Sequence, residues 1–157
     1  MVYVFDAGPF ITLFTYFYAS RFPSLWERFN TVIASRRVLS TREVANEIMS
    51  FHGKTRLTQW VSEQRDLFDS PSQMEIRYVE EIFRQPHFRQ LIDRRKMLEG
   101  RPVADPFVIA KARTIGGIVV TTEKYKPNAA QIPNICEHFG IGCIGLEGFM
   151  EREGWCF

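Results

Sequence analysis

The sequence predicts an α/β domain of three layers (α/β/α), with helices on both faces of a central, mostly parallel sheet of four or five strands. Three observations predict it. Short apolar runs rich in β-branched and aromatic residues alternate with stretches of helical periodicity. Those runs are continuous rather than alternating, as in strands buried on both faces. The 157 residues, 45% hydrophobic and 14% aromatic, suffice for a single core.

Val2-Tyr3-Val4-Phe5 is the first such run. It ends at Asp6, and Gly8-Pro9 starts a helix with Pro9 in its first turn. Ser24-Leu25-Trp26-Glu27 has capping-box spacing and opens a helix toward Arg36. Val38-Leu39 is a second short strand. Ser40-Thr41-Arg42-Glu43 is another capping box, followed by Val44, Ile48 and Phe51 at helical spacing. From Lys54 to Leu98 the pattern is helical, broken near Ser70-Pro71 and Gln85-Pro86, with a third box at Ser72-Gln73-Met74-Glu75. No strand signal falls in this middle section, which is expected to pack outside the sheet as a helical hairpin or cap. Asp105-Pro106 opens a helix through Ile109, Ala112 and Ile115, stopped by Gly116-Gly117. Ile118 to Thr122 is a buried strand, Lys126 to Gln131 a polar loop, and Asn134 to Phe139 a short helix. Cys143 to Leu146 is a last strand and Glu147 to Glu153 a last helix. No repeat, linker or low-complexity tract divides residues 1–157, so one domain is expected.

The net charge of +2 gives no global basic field, so any nucleic-acid contact rests on local patches. Cys136, Cys143 and Cys156 include no C-x-x-C pair, and no second pair of zinc ligands accompanies Cys136 and His138. Free thiols in a reducing compartment are expected. The apolar stretch from Pro9 to Ala19 is too short to span a bilayer, and the features of a signal peptide are missing, so a cytoplasmic protein without a membrane segment is expected. The aromatics from Phe10 to Phe22 suit either core or a partner-facing surface.

Parallel α/β sheets bind ligands beyond the carboxyl ends of their strands. Asp6 follows the first strand and Glu123 follows the Val119–Thr122 strand. Asp105 begins the helix leading into that strand, which places it near the same rim. Glu47 lies one turn into the helix after the second strand. Four carboxylates in one cleft repel each other, and a divalent cation removes the conflict. Oxygen ligands without His or Cys favour Mg²⁺ or Mn²⁺. Each acid also has a plainer role: Asp105 and Asp6 as N-caps, Glu47 on a solvated helix face, Glu123 in a loop. Glu43 is assigned a structural part at the N3 position of the box begun by Ser40, and Glu47 is preferred to it.

The strings Val-Phe-Asp-Ala, Glu-Val-Ala-Asn-Glu-Ile, Ala-Asp-Pro-Phe-Val-Ile-Ala and Val-Val-Thr-Thr-Glu, in this order, resemble the PIN-domain nucleases over nearly the whole chain. Ile132 to Cys136 and the helical middle resemble a toxin-like bacterial branch of that family. The resemblance implies a PIN-like fold and a metal-dependent endoribonuclease leaving a 5′-phosphate and a 3′-hydroxyl. Asp6 and Asp105 would be the main ligands, joined by Glu47 and Glu123, with Thr121 orienting a water or phosphate oxygen. It also implies an antitoxin encoded nearby and self-pairing as a homodimer. Two positions depart from the family's pattern. Gly8 stands where a small polar residue is usual, and Glu123 where Asp is commoner.

RNA binding needs cations. Candidates are Lys124 and Lys126 beside Glu123, Lys111 and Arg113 on the Asp105 helix, and Arg42 with Arg36 and Arg37 near the second strand. Arg94-Arg95-Lys96 is a separate run. Two other readings stay open: a PIN-like module that binds RNA or protein without catalysis, and an aspartyl phosphotransferase using Asp6. The latter usually needs a second Asp two residues on, where this chain has Gly8.

Overall fold

The computed structural model describes residues 1–99 and 103–157, apart from the side chains of Leu91 and residues 95–99. The order is β1 (Tyr3–Phe5), α1 (Ala7–Tyr16), α2 (Pro23–Ala34), β2 (Val38–Thr41), α3 (Arg42–Phe51), α4 (Arg56–Glu63) and β3 (Phe68–Asp69). There follow α5 (Gln73–Arg84), α6 (Pro86–Glu99), α7 (Asp105–Ile115), β4 (Ile118–Val120), α8 (Ile132–Phe139), β5 (Cys143–Ile144) and α9 (Leu146–Arg152). All five strands are parallel, in the order β3-β2-β1-β4-β5. The expected α/β/α architecture is present.

The apolar β1 sits at the centre. Tyr3 and Phe5 project to one face and Val4 to the other, as a strand's period of two requires. On the first face Phe5 meets Phe10 of α1, Phe29 of α2 and Phe149 of α9, at ring separations of 5.2, 5.8 and 5.1 Å. All four rings are fully buried. Phe5→Ala would empty the middle of this cluster at a cost of about 3–5 kcal/mol. On the other face α7 packs on β1 and β2, and α5 packs on α7. The last helix is tied to the first strand as well: the Tyr3 hydroxyl donates to Glu153 Oε1 (2.8 Å), and the Arg37 guanidinium pairs with the same carboxylate.

Several boundaries differ from expectation, for local reasons. Phe68–Asp69 forms a strand inside the middle section, pairing with Ser40 and Thr41 at the sheet edge. The section from 54 to 98 therefore does not lie wholly outside the sheet. Ser24 does not cap α2, which starts one residue earlier with Pro23 in its first turn and Phe22 at the N-cap. Nor does Ser40 cap α3. Its hydroxyl donates to the Phe5 carbonyl at 2.7 Å, and Thr41 takes the cap by accepting from the Val44 amide. The aromatic segment divides: Phe10 is core, Phe14 and Phe17 pack at its margin, and Tyr16 and Tyr18 are exposed. Among the described residues no helix is long and apolar enough to cross a membrane.

Candidate functional site

The chain leaves β1 toward β2 on one side, while β4 lies on the other, so the sheet's topological switch falls at the carboxyl end of β1. Parallel sheets open a crevice at such a point. Asp6 occupies it, 6% exposed. Its amide continues the ladder to the Val120 carbonyl at 2.9 Å, which fixes the backbone between β1 and β4. Asp6 stands at the N-cap position of α1, yet its side chain makes no capping hydrogen bond. Instead its Oδ2 accepts from the Thr121 hydroxyl at 3.0 Å.

Thr121 is 2% exposed, and its hydroxyl is committed twice. It donates its proton to Asp6 and accepts from the Glu123 amide at 3.1 Å. An ionised carboxylate accepts only, so the direction of the first bond is set. With its one proton on Asp6, Thr121 has none to offer a phosphate oxygen. It acts by holding Asp6 and the turn at Glu123 together.

Asp105 is likewise 6% exposed. It is the first residue of α7, and the cap is Ala104, so Asp105 does not serve as the N-cap. Asp and Glu are rarely buried in folded proteins. Two aspartates buried at helix starts, with no side-chain cap from Asp6, are the strongest mark of a site among the described residues.

The glutamates are placed differently. Glu47 is half-buried on α3. Glu123 is half-buried, and its Oε2 accepts from the Ile132 amide at 2.7 Å, closing the N-terminus of α8. That bond gives the longer side chain a structural task. The capping box that the sequence predicts for Glu43 does not form, because the cap is one residue later, at Thr41. It lies 8% exposed in the first turn of α3, four residues from Glu47 and so on the same helix face. Arg42 donates to its Oε1 from Nε (3.2 Å) and Nη2 (2.8 Å), and its buried Oε2 has no hydrogen-bond partner among the described residues. The place of Glu43 is hidden in the sequence because the Ser40 hydroxyl, which would cap the helix, is claimed by a strand 35 residues away. Among the described residues no three His, Cys, Asp or Glu side chains are gathered to hold a metal ion. The carboxylate oxygens of Asp6, Asp105, Glu47 and Glu123 are hard donors, the kind that Mg²⁺ and Mn²⁺ take, so the fit is one of donor chemistry.

The basic candidates also separate. Lys111 is 3% exposed and pairs with Asp69, with Glu75 4.0 Å away. Burial raises the Glu75 carboxyl, and Lys111 and Ser72 offset this only in part. Lys111 is an internal ion-pair residue and cannot contact RNA. Arg113 pairs with Glu81 at 2.9 Å and lies 4.2 Å above the Tyr78 ring, anchoring α7 to α5. Arg37 closes the opposite end of the chain on Glu153. Arg42 remains exposed next to Glu43. Lys124 and Lys126 are exposed beside Glu123, in a segment clamped by Asn134: its Oδ1 accepts from the Lys126 amide (3.3 Å) and its Nδ2 donates to the Lys126 carbonyl (2.5 Å). Arg94 is exposed, and the side chains of Arg95 and Lys96 lie outside the described residues.

No disulfide joins the cysteines. The neighbouring Cys143 thiol, burial and the nearby Glu123 push the Cys136 thiol above the usual thiol range. His138 is exposed, its ring packed edge-on against Phe88.

Fold and site define a class: a parallel α/β/α domain with buried aspartates at the carboxyl rim of its central strands. The chain belongs to the family DUF4411, a domain of unknown function, whose profile matches residues 3–157. No curated protein matches the chain.

Proposed function

We propose that this protein is a Mg²⁺- or Mn²⁺-dependent endoribonuclease of PIN type, cytoplasmic and homodimeric, acting as the toxin of a toxin–antitoxin pair. The observation that carries the nuclease reading is Asp6: a buried carboxylate at the topological switch, held from β4 by Thr121. Asp105 opens α7, Glu47 lies on α3 and Glu123 follows β4, and the resemblance to PIN nucleases rests on the same four acids. The toxin, antitoxin and homodimer parts of the reading rest on that resemblance alone.

Asp6 and Asp105 would hold the cation, with Glu47 and Glu123 completing the set and Glu43 adjoining it. When bound, the metal lowers the pKa of a water and stabilises charge on the scissile phosphate. The chain's own residues do the rest. Thr121 keeps Asp6 from rotating away, and the amide bond from Ile132 keeps Glu123 against α8. Lys124 and Lys126 attract the RNA backbone.

The test is Mn²⁺ titration followed by cleavage of single-stranded RNA, comparing the parent with Asp6→Asn and Asp105→Asn. Cleavage in the parent, lost in both variants and leaving 5′-phosphates, is the expected result. Cleavage that survives both substitutions would sink the proposed site. Metal and RNA binding without any cleavage would point to the binding module instead.

A further inference from the structure

Thr121 and Thr122 are neighbours with opposite surroundings. Thr121 is buried with its hydroxyl committed, whereas Thr122 is exposed and its hydroxyl makes no hydrogen bond with the protein among the described residues. Thr122 packs on Gly8, in the first turn of α1 and two residues after Asp6. A Cβ built on Gly8 would fall 2.1 Å from Thr122 Oγ1 and 3.1 Å from its Cβ and Cγ2. No real Cβ approaches an oxygen so closely. The space into which a side chain at position 8 would grow is therefore already filled, from the opposite wall, by a hydroxyl.

That hydroxyl has a defined place. It is one residue from Thr121, which holds Asp6, and one residue from Glu123. It lies beside the first turn of α1, whose amide groups have no side-chain cap. A free hydroxyl donor next to uncapped helix amides suits an anionic oxygen. We propose that Thr122 presents its hydroxyl to a non-bridging phosphate oxygen of the RNA, and that Gly8 is glycine to leave room for it. This rests on the nuclease reading above. It makes Thr122 a substrate-binding residue and Thr121 a positioning residue, and it puts a polar contact beside Asp6 although position 8 has no side chain.

The experiment measures Mn²⁺-dependent cleavage of a fluorescein-labelled, mixed-sequence single-stranded RNA, and anisotropy binding of the same RNA in the Asp6→Asn background. Thr122→Val keeps the shape and removes the donor. It is expected to raise KM and weaken binding about tenfold, with kcat changed little. Thr122→Ser keeps the donor and should stay near the parent. Gly8→Ser alone forces Thr122 aside and should behave like Thr122→Val. Combining Gly8→Ser with Thr122→Gly returns a hydroxyl from the other wall and should recover binding. Thr122→Ala, which only removes atoms from an exposed position, replaces the valine variant if thermal melting shows that valine fits poorly against Gly8. Parental KM and affinity in the donor-less variant, or a serine variant as impaired as the valine one, overturns the role of Thr122 while leaving the nuclease reading intact. A parent that neither binds nor cleaves RNA overturns both.

Discussion

Replacing Thr121 by valine tests the joint that sets Asp6. The substitution keeps the β-branched shape and deletes one oxygen. That oxygen makes a 3.0 Å bond to a carboxylate and a 3.1 Å bond from the Glu123 amide. A hydrogen bond to a charged group contributes about 1.5–3 kcal/mol, and a donor left unpaired costs about 1–3 kcal/mol when buried. Glu123 is only half-buried, so water can reach its amide and the second cost falls at the low end. The sum is about 3 kcal/mol. Against a total stability of roughly 5–15 kcal/mol this is a large fraction, corresponding to a Tm lower by about 6–12 °C in a chain of this length. Urea unfolding followed by fluorescence of Trp26, Trp60 and Trp155, with calorimetry alongside, measures it. In the Asp6→Asn background the same change should cost less, because the charged acceptor is gone, and the difference between the two costs isolates the bond. Thr121→Ser should restore most of the loss. A cost below about 1 kcal/mol, or the same cost with and without Asp6, would refute the claim that Thr121 holds the aspartate.

Other substitutions separate structural from RNA-facing charges. Lys111→Ala should destabilise the fold by about 3–5 kcal/mol in urea unfolding, since it leaves the buried Glu75 without its cation. Lys124→Ala and Lys126→Ala should leave stability unchanged to within about 0.5 kcal/mol and flatten the salt dependence of RNA binding. Glu123→Asp shortens the reach to the Ile132 amide and should cost about 1 kcal/mol, read as a lower Tm. The Tyr3–Glu153–Arg37 group sets the pH range. Burial first, and then the bond to Glu153, push the Tyr3 hydroxyl up to about 12. A folded-state value above the ordinary 10.0 stabilises fully below pH 10.0, and this is lost as the pH climbs through about 12. Burial alone would raise Glu153, but its bonds from Arg37 and Tyr3 outweigh burial and hold it below 4.5. Its contribution is complete above that value and is lost as the pH falls beneath it. Tm measured against pH should decline at both ends, and Glu153→Gln should remove this part of the acid decline.

The sequence carries the strand–helix alternation plainly, because four of the strands are apolar runs long enough to register. It does not carry β3. Two residues, Phe68 and Asp69, have no period, and they become a strand only because Ser40 and Thr41 offer an edge to pair with. The buried positions of Asp6 and Asp105 follow from where strands end and helices begin, which is local information. The parts that stayed hidden depend on distant partners. Lys111 reads as a surface cation until Asp69, 42 residues earlier, is brought to it. Ser40 reads as a cap until the Phe5 carbonyl claims its hydroxyl. Gly8 reads as a missing contact until Thr122, more than a hundred positions later, is found against it.

The bond between Asp6 and Thr121 also has a consequence in time. The two residues are 115 positions apart. Asp6 is synthesised long before Thr121, and the bond between them cannot form until β4 has emerged and paired with β1. Phe149, which covers Phe5 on the far face, arrives later still. Over that interval a nascent chain carries the aspartate without its bond to Thr121. Any activity that needs Asp6 held by Thr121 is deferred until β4 has emerged.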